Sequence, residues 1–103
     1  MKIAITSEGN TLSSLIDSRF GRCAFFAILD TDTQATEFFP NPAKELSEGA
    51  GPAAVQFIAS KGVKKVIAGE FGMKIKSLLD TLSIEMIVDT DKTVSDIVKQ
   101  FKI

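Results

Sequence analysis

The chain has 103 residues, 45% hydrophobic and 24% charged, with 12 basic against 13 acidic side chains and a formal net charge of −1. That size and balance describe one folded domain with a single core, and the near-neutral charge argues against coating nucleic acid or steering to an anionic membrane. With no histidine and one cysteine, histidine-ligated zinc, Ser/His/Asp and Cys/His catalysis and an internal disulfide are all excluded.

Met1-Lys2 leads straight into Ile3-Ala4-Ile5, a short apolar run of strand type rather than a signal peptide. No apolar run approaches the ~18 residues of a bilayer span, so a cytoplasmic protein is expected. Phe25–Leu29 and Ala35–Phe39 read as a second and third strand. The turn-rich link Asp30–Gln34 is too short for anything but an antiparallel hairpin. Asn41-Pro42 ends the third strand, and after a polar loop Gly51-Pro52 opens a helix with proline in its first turn, which Gly62 stops. Val66-Ile67-Ala68 is the continuous apolar run of a strand covered on both faces. Ile75, Leu78, Leu79 and Leu82 recur at helical spacing and predict an amphipathic helix over about 72–82. Met86-Ile87-Val88 is the last strand. Thr93 with Asp96 three residues on marks the start of a final helix carrying Val94, Ile97, Val98 and Phe101. No linker or repeat divides residues 1–103, so the order βββαβαβα forms one α/β domain.

Helical crossovers make the third, fourth and fifth strands parallel. If the first runs with them, only the second is antiparallel. Three glycine-bearing segments then share one sheet edge: Asp17 to Cys23, Gly49-Ala50-Gly51-Pro52 and Gly69-Glu70-Phe71-Gly72. Ligands of open α/β sheets bind at the carboxyl ends of strands. Helices introduced by Gly51 and Gly72 would turn unpaired N–H groups toward an anion, and Arg19 and Arg22 would supply positive charge. Each feature has a plainer alternative. The glycines turn the chain, Arg19 or Arg22 pairs with Asp17, and Phe20 plugs the loop onto the sheet. Cys23, beside two arginines, is either a thiolate able to give one metal bond or a small core residue. Asp30, Asp32, Glu37, Glu70 and Asp89 are candidate magnesium ligands, but Asp30 and Asp32 belong to the far hairpin, and two-metal chemistry needs several carboxylates together.

Gly9-Asn10-Thr11-Leu12, Asp17 through Cys23, Asn41-Pro42, Gly49-Ala50-Gly51 and Gly69 with Gly72 together resemble the dinitrogenase iron-molybdenum cofactor biosynthesis family over nearly the whole chain. The resemblance implies a ribonuclease H-like three-layer α/β/α fold with a mixed five-stranded sheet. It also implies, for some members, carriage of iron-molybdenum cofactor or an iron–sulfur precursor among metallocluster assembly proteins. This chain departs from the pattern in having no histidine and in carrying Glu70-Phe71-Gly72-Met73-Lys74 where asparagine and proline are expected. The reading is a non-catalytic binding protein for an anionic iron–sulfur or iron-molybdenum cluster, or for no cofactor at all. Its binding set is Asp17, Arg19, Phe20, Gly21, Arg22, Gly49, Ala50, Gly51, Gly69, Glu70 and Gly72, with Cys23 as the metal ligand. The alternatives are a ligand-free interaction domain and a magnesium-dependent nuclease or phosphohydrolase. Phe38 and Phe39 on an edge strand allow a monomer or a weak homodimer.

Overall fold

A computed structural model describes residues 1–101. The elements are β1 (Lys2–Ser7), β2 (Phe25–Asp30), β3 (Thr36–Pro40), α1 (Ala50–Ser60), β4 (Val63–Ala68), α2 (Met73–Thr81), β5 (Glu85–Val88) and α3 (Val94–Gln100). They form one sheet in the order β3-β2-β1-β4-β5. β1 pairs antiparallel with β2 and parallel with β4, β2 pairs antiparallel with β3, and β4 pairs parallel with β5. Only β2 therefore runs against the rest. The carboxyl ends of β1, β3, β4 and β5 meet at one edge, and the Asp30–Gln34 hairpin lies at the other.

Alternation along the strands sends side chains to two faces, and helices cover both. Ala4, Phe26, Ile28, Val66 and Ala68 pack beneath α1 and α2, against Ala54, Val55, Ile58, Ile75 and Leu79. Ile3, Ile5, Ala27, Leu29 and Ile67 pack on the other face against Val94, Ile97 and Val98 of α3. The result is a three-layer α/β/α sandwich. β4 begins at Val63, earlier than its apolar run, because Lys64 and Lys65 occupy the less covered start of the strand. Lys65 Nζ lies 3.7 Å from the Glu85 carboxylate on β5. α3 opens with the expected capping box: Asp96 N–H donates to the Thr93 hydroxyl at 3.1 Å, and Thr93 N–H donates to the Asp96 carboxylate at 3.0 Å.

One helix start differs from expectation. α1 begins at Ala50, capped by Gly49 in the left-handed region at φ 70°, so Pro52 falls at the third helical position. The phenylalanines of edge strand β3 are partly covered by the domain itself. Phe38 packs toward α3, and Phe39 sits edge-on to Phe57 at 6.1 Å with Lys61 Nζ 4.4 Å from its ring centre. No helix among the described residues is long and apolar enough to cross a membrane.

Candidate functional site

The loop after β1 returns to the sheet and adds itself to the carboxyl end. Asp17 N–H donates to Thr6 O at 3.0 Å, and the buried Thr6 hydroxyl donates to Asp17 O at 2.6 Å. Glu70 N–H donates to Ser18 O at 2.7 Å, and Arg19 forms a parallel bridge with Glu70. Residues 17–19 thus lie beside the chain leaving β4. The approach is close enough to require glycine: a Cβ on Gly69 would come 2.6 Å from Ser18 Cα.

Asp17 is 3% exposed, and a carboxylate in such a position needs a cation or several donors. Arg19 provides both. Its backbone N–H donates to Asp17 Oδ1 at 3.0 Å, its Nε to the same oxygen at 3.3 Å and its Nη2 to Oδ2 at 3.4 Å. The hydrogen bond to Asp17, and then the carboxylate's charge, hold the Arg19 guanidinium above its ordinary pKa, while 57% of the side chain stays exposed. Phe20 is the plug: 3% exposed, its ring centre lies 5.8 Å from Phe26 and 5.6 Å from Phe71. Arg22 reaches sideways, and its Nη1 donates to the carbonyls of Lys44 and Leu46. It thereby straps the exposed 44–49 segment.

Asn41 holds the other half of the loop. Its Nδ2 donates to Gly21 O and Cys23 O, both at 3.0 Å, and its Oδ1 accepts from Ala43 N–H at 3.0 Å. The Asn-Pro dipeptide marks a strand end in the sequence, but nothing local points to these partners across the loop. Cys23 is fully buried in the α1/α2-side core. Burial, helped by the negative charge of Asp17, pushes its thiol from an ordinary 9.0 up to about 12. Of the two alternatives the sequence left open, the structure favours the core residue: Cys23 is enclosed, and the bonds that Arg19 and Arg22 make lead to Asp17 and to the carbonyls of Lys44 and Leu46, not to the thiol. As a core thiol it should react with a disulfide reagent such as DTNB at neutral pH roughly a thousandfold more slowly in native than in denatured protein. Fast native reaction would overturn the assignment. With the folded pKa raised, the stability from keeping the thiol neutral is fully present below about pH 9 and is lost as pH rises toward 12. Cys23→Ala should flatten that alkaline loss.

Between these anchors lies a cleft of about 370 Å³ lined by Arg19, Phe20, Gly21, Arg22, Glu70, Phe71, Gly72 and Ile75. Gly72 caps α2 with no side chain bonded to the helix end, so no side chain competes for the first N–H groups of α2; that of Ile75 donates to Gly72 O at 3.0 Å. Six of the expected binding residues, Arg19, Phe20, Gly21, Arg22, Glu70 and Gly72, are brought together. Gly49, Ala50 and Gly51 are not. A Cβ on Gly21 would lie 2.9 Å from Gly51 Cα and N, and one on Gly51 would lie 2.5 Å from Ile75 Cδ1. At the α1 end Gly51 makes room for the protein's own Gly21 and Ile75, and Gly49, with open space beside it, supplies the left-handed cap. Gly69 and Asp17 stand behind the cleft as its support. A second depression, of about 260 Å³, opens beyond the Ser18–Gly69 contact and includes Glu8, Asp89 and Asp91. Its carboxylates repel anions.

The candidate magnesium ligands do not converge. Asp32 pairs with the N-terminus at 3.3 Å and Asp89 with Lys92 at 2.8 Å. Among the described residues no group of three or more His, Cys, Asp or Glu side chains is placed to hold a metal ion. With Cys23 enclosed, the cleft lacks the thiolates on which a conventional iron–sulfur cluster is built. Its donors fit a preassembled anionic cluster that brings its own sulfides, held by charge and N–H groups.

Comparison with known proteins agrees with this architecture. The family profile described as dinitrogenase iron-molybdenum cofactor matches residues 1–102. The apo form of the orange protein (ORP) from Desulfovibrio gigas superposes with a TM-score of 0.91 at 37% identity, over 97% of this chain and 85% of that one. A proposed NifB protein from Thermotoga, of the DUF35 family, superposes with a TM-score of 0.84 at 32% identity, over 97% of this chain and 85% of that one. No curated protein sequence matches the chain significantly.

Proposed function

The chain belongs to the dinitrogenase iron-molybdenum cofactor family, and on that premise we propose that it is a non-catalytic carrier for a preassembled anionic metal–sulfide cluster. The iron-molybdenum type and its precursors are the class the family name points to. The observation that carries the reading is the joint placement of Arg19, Arg22 and the uncapped start of α2 around one cleft. Guanidinium groups and helix N–H groups bind the sulfide shell of such a cluster by charge and hydrogen bonds. A weakly held, intact cargo is what a carrier needs if it is to hand the cluster on, and proteins of metallocluster assembly are the partners this implies. One relative is described in its apo form, a word that presupposes a removable group.

Arg22→Glu tests the site. Titrated anaerobically with tetrathiomolybdate, a molybdenum–sulfide dianion, the wild type should bind and the variant should lose affinity at least about tenfold. An unchanged far-UV circular dichroism spectrum would show the fold intact. Equal affinity in the two proteins would remove the cleft as the binding site.

The satisfied state of the loop favours a second reading, an interaction domain without ligand. Among the described residues no buried side-chain nitrogen or oxygen lacks a hydrogen-bond partner, and both arginines already have partners. Anaerobic pull-down from the native cell separates the two: a stoichiometric protein partner with no metal supports the interaction domain.

A further inference from the structure

We propose that Glu70 supplies the one bond from this protein to a metal of the cargo, and that it makes the cleft selective for clusters with an exchangeable metal site over anions that have none. The inference rests on the carrier reading above and goes on to name the ligand atom and the class of cargo.

Glu70 is held on a rigid support. Its N–H is bonded to Ser18 O at 2.7 Å, and its backbone is bridged to Arg19, so its position between Arg19 and Gly72 on the cleft wall is set by the sheet. Its carboxylate is exposed and takes part in none of the ion pairs among the described residues. Arg19, bridged to Glu70 through the backbone, turns its guanidinium to Asp17 instead. Of the side chains lining the cleft, those of Arg19, Phe20, Arg22, Phe71 and Ile75 carry no lone pair basic enough to bond a metal, and the glycines have no side chain. Cys23 is buried in the core. Glu70 is thus the sole side chain on the cleft wall able to enter a metal's coordination shell, as a hard oxygen donor.

Charge leads to the same conclusion. The two guanidinium charges are offset by Glu70 at the wall and by Asp17 beneath Arg19, so a bare anion is held through the local donors of Arg22 and the α2 start and not by a large net field. A dianion with no open metal position meets a like charge at Glu70, and so binds there more weakly than one that can turn that carboxylate into a ligand. A cluster that presents a metal with a replaceable ligand finds its sulfides at Arg22 and the α2 start, and its metal at Glu70. The step is a simple ligand exchange. A carboxylate oxygen gives a lone pair to the metal, the displaced ligand leaves with its own pair, and no oxidation state changes.

Two dianions of equal charge separate metal bonding from electrostatics: tetrathiomolybdate, and its adduct with ferrous chloride, in which iron bridged by two sulfides keeps two exchangeable chlorides. Both are titrated anaerobically into wild type and Glu70→Gln and followed by absorption. Glu70→Gln keeps the size of an exposed side chain, and circular dichroism checks the fold. The expected result is a loss of at least about tenfold in affinity for the iron adduct, with a gain for tetrathiomolybdate; outer-shell changes alone typically cost 10–100-fold in metal sites. If Glu70→Gln raises affinity for both probes, or leaves the adduct unchanged, Glu70 is no ligand while the carrier reading stands. If the wild type binds neither probe, both fall.

Discussion

Asn41→Ala should lower the unfolding free energy by about 2–4 kcal/mol, because a buried carbonyl, a part-buried carbonyl and a buried N–H lose their partner together. The carbonyls of Gly21 and Cys23 and the N–H of Ala43 all meet this one amide, and Asn41 is 6% exposed, so water cannot replace it without opening the loop. For a domain of this size each kcal/mol moves the melting temperature by roughly 4–8 °C. Urea or thermal denaturation measures the change directly. Asn41→Asp sharpens the test. It keeps the oxygen that accepts from Ala43 but sets a second, charged oxygen against the carbonyls of Gly21 and Cys23, so this near-isosteric change should destabilise at least as much as alanine. A loss below about 0.5 kcal/mol for both variants, the range of an ordinary surface substitution, would mean that Asn41 is not the clamp.

The strand directions could be read from the sequence because connection length alone separates a hairpin from a crossover. Asp30–Gln34 had to reverse the chain, and the helical segments opened by Gly51-Pro52 and by the apolar period of residues 75–82 had to bridge parallel strands. Arg19, Phe20, Gly21, Arg22, Glu70 and Gly72 were likewise legible as one site, since that topology carries their segments to one edge. The roles of Gly51 and Gly69 were not, and Cys23 stayed open between a metal-bonding thiolate and a small core residue. A glycine that makes room for a ligand and one that makes room for a distant part of its own chain look alike in sequence. Only the fold shows Gly51 against Gly21, and Gly69 against Ser18. Cys23 follows Arg22 directly, yet the chain turns at Gly21-Arg22 before entering β2, and the arginine reaches the carbonyls of Lys44 and Leu46 while the thiol is buried in the core. Asn41 escaped notice because its partners at Gly21 and Cys23 belong to another loop. The role of Glu70 depends on what the other side chains of the cleft wall lack, which only the fold brings together.

Gly69→Ala is the second variant expected to have a large effect, and Gly72→Ala is its control. At Gly69 the added methyl would lie 2.6 Å from Ser18 Cα, 3.0 Å from Ser18 Cβ and 3.1 Å from Ser18 O. The obstacle is mainly backbone, and no rotamer change relieves it. The 17–19 segment has to move away from β4, which breaks the 2.7 Å bond from Glu70 N–H to Ser18 O and pulls Arg19 out of register with Glu70. Overpacking of this kind costs about 1–3 kcal/mol, and the displaced wall should also weaken tetrathiomolybdate binding. At Gly72 the same methyl meets nothing closer than Ile75 Cγ1 at 3.9 Å, and the residue already sits at φ −70°, which alanine adopts without strain. The penalty there is the poorer helix cap, under about 1 kcal/mol. Denaturation of the two variants side by side decides the matter. A clear loss at Gly69 with little at Gly72 supports a cleft whose wall is the close contact of two backbones. Equal losses would mean that the methyl at Gly69 is absorbed elsewhere, and that the Ser18 contact does not fix where Arg19 and Glu70 stand.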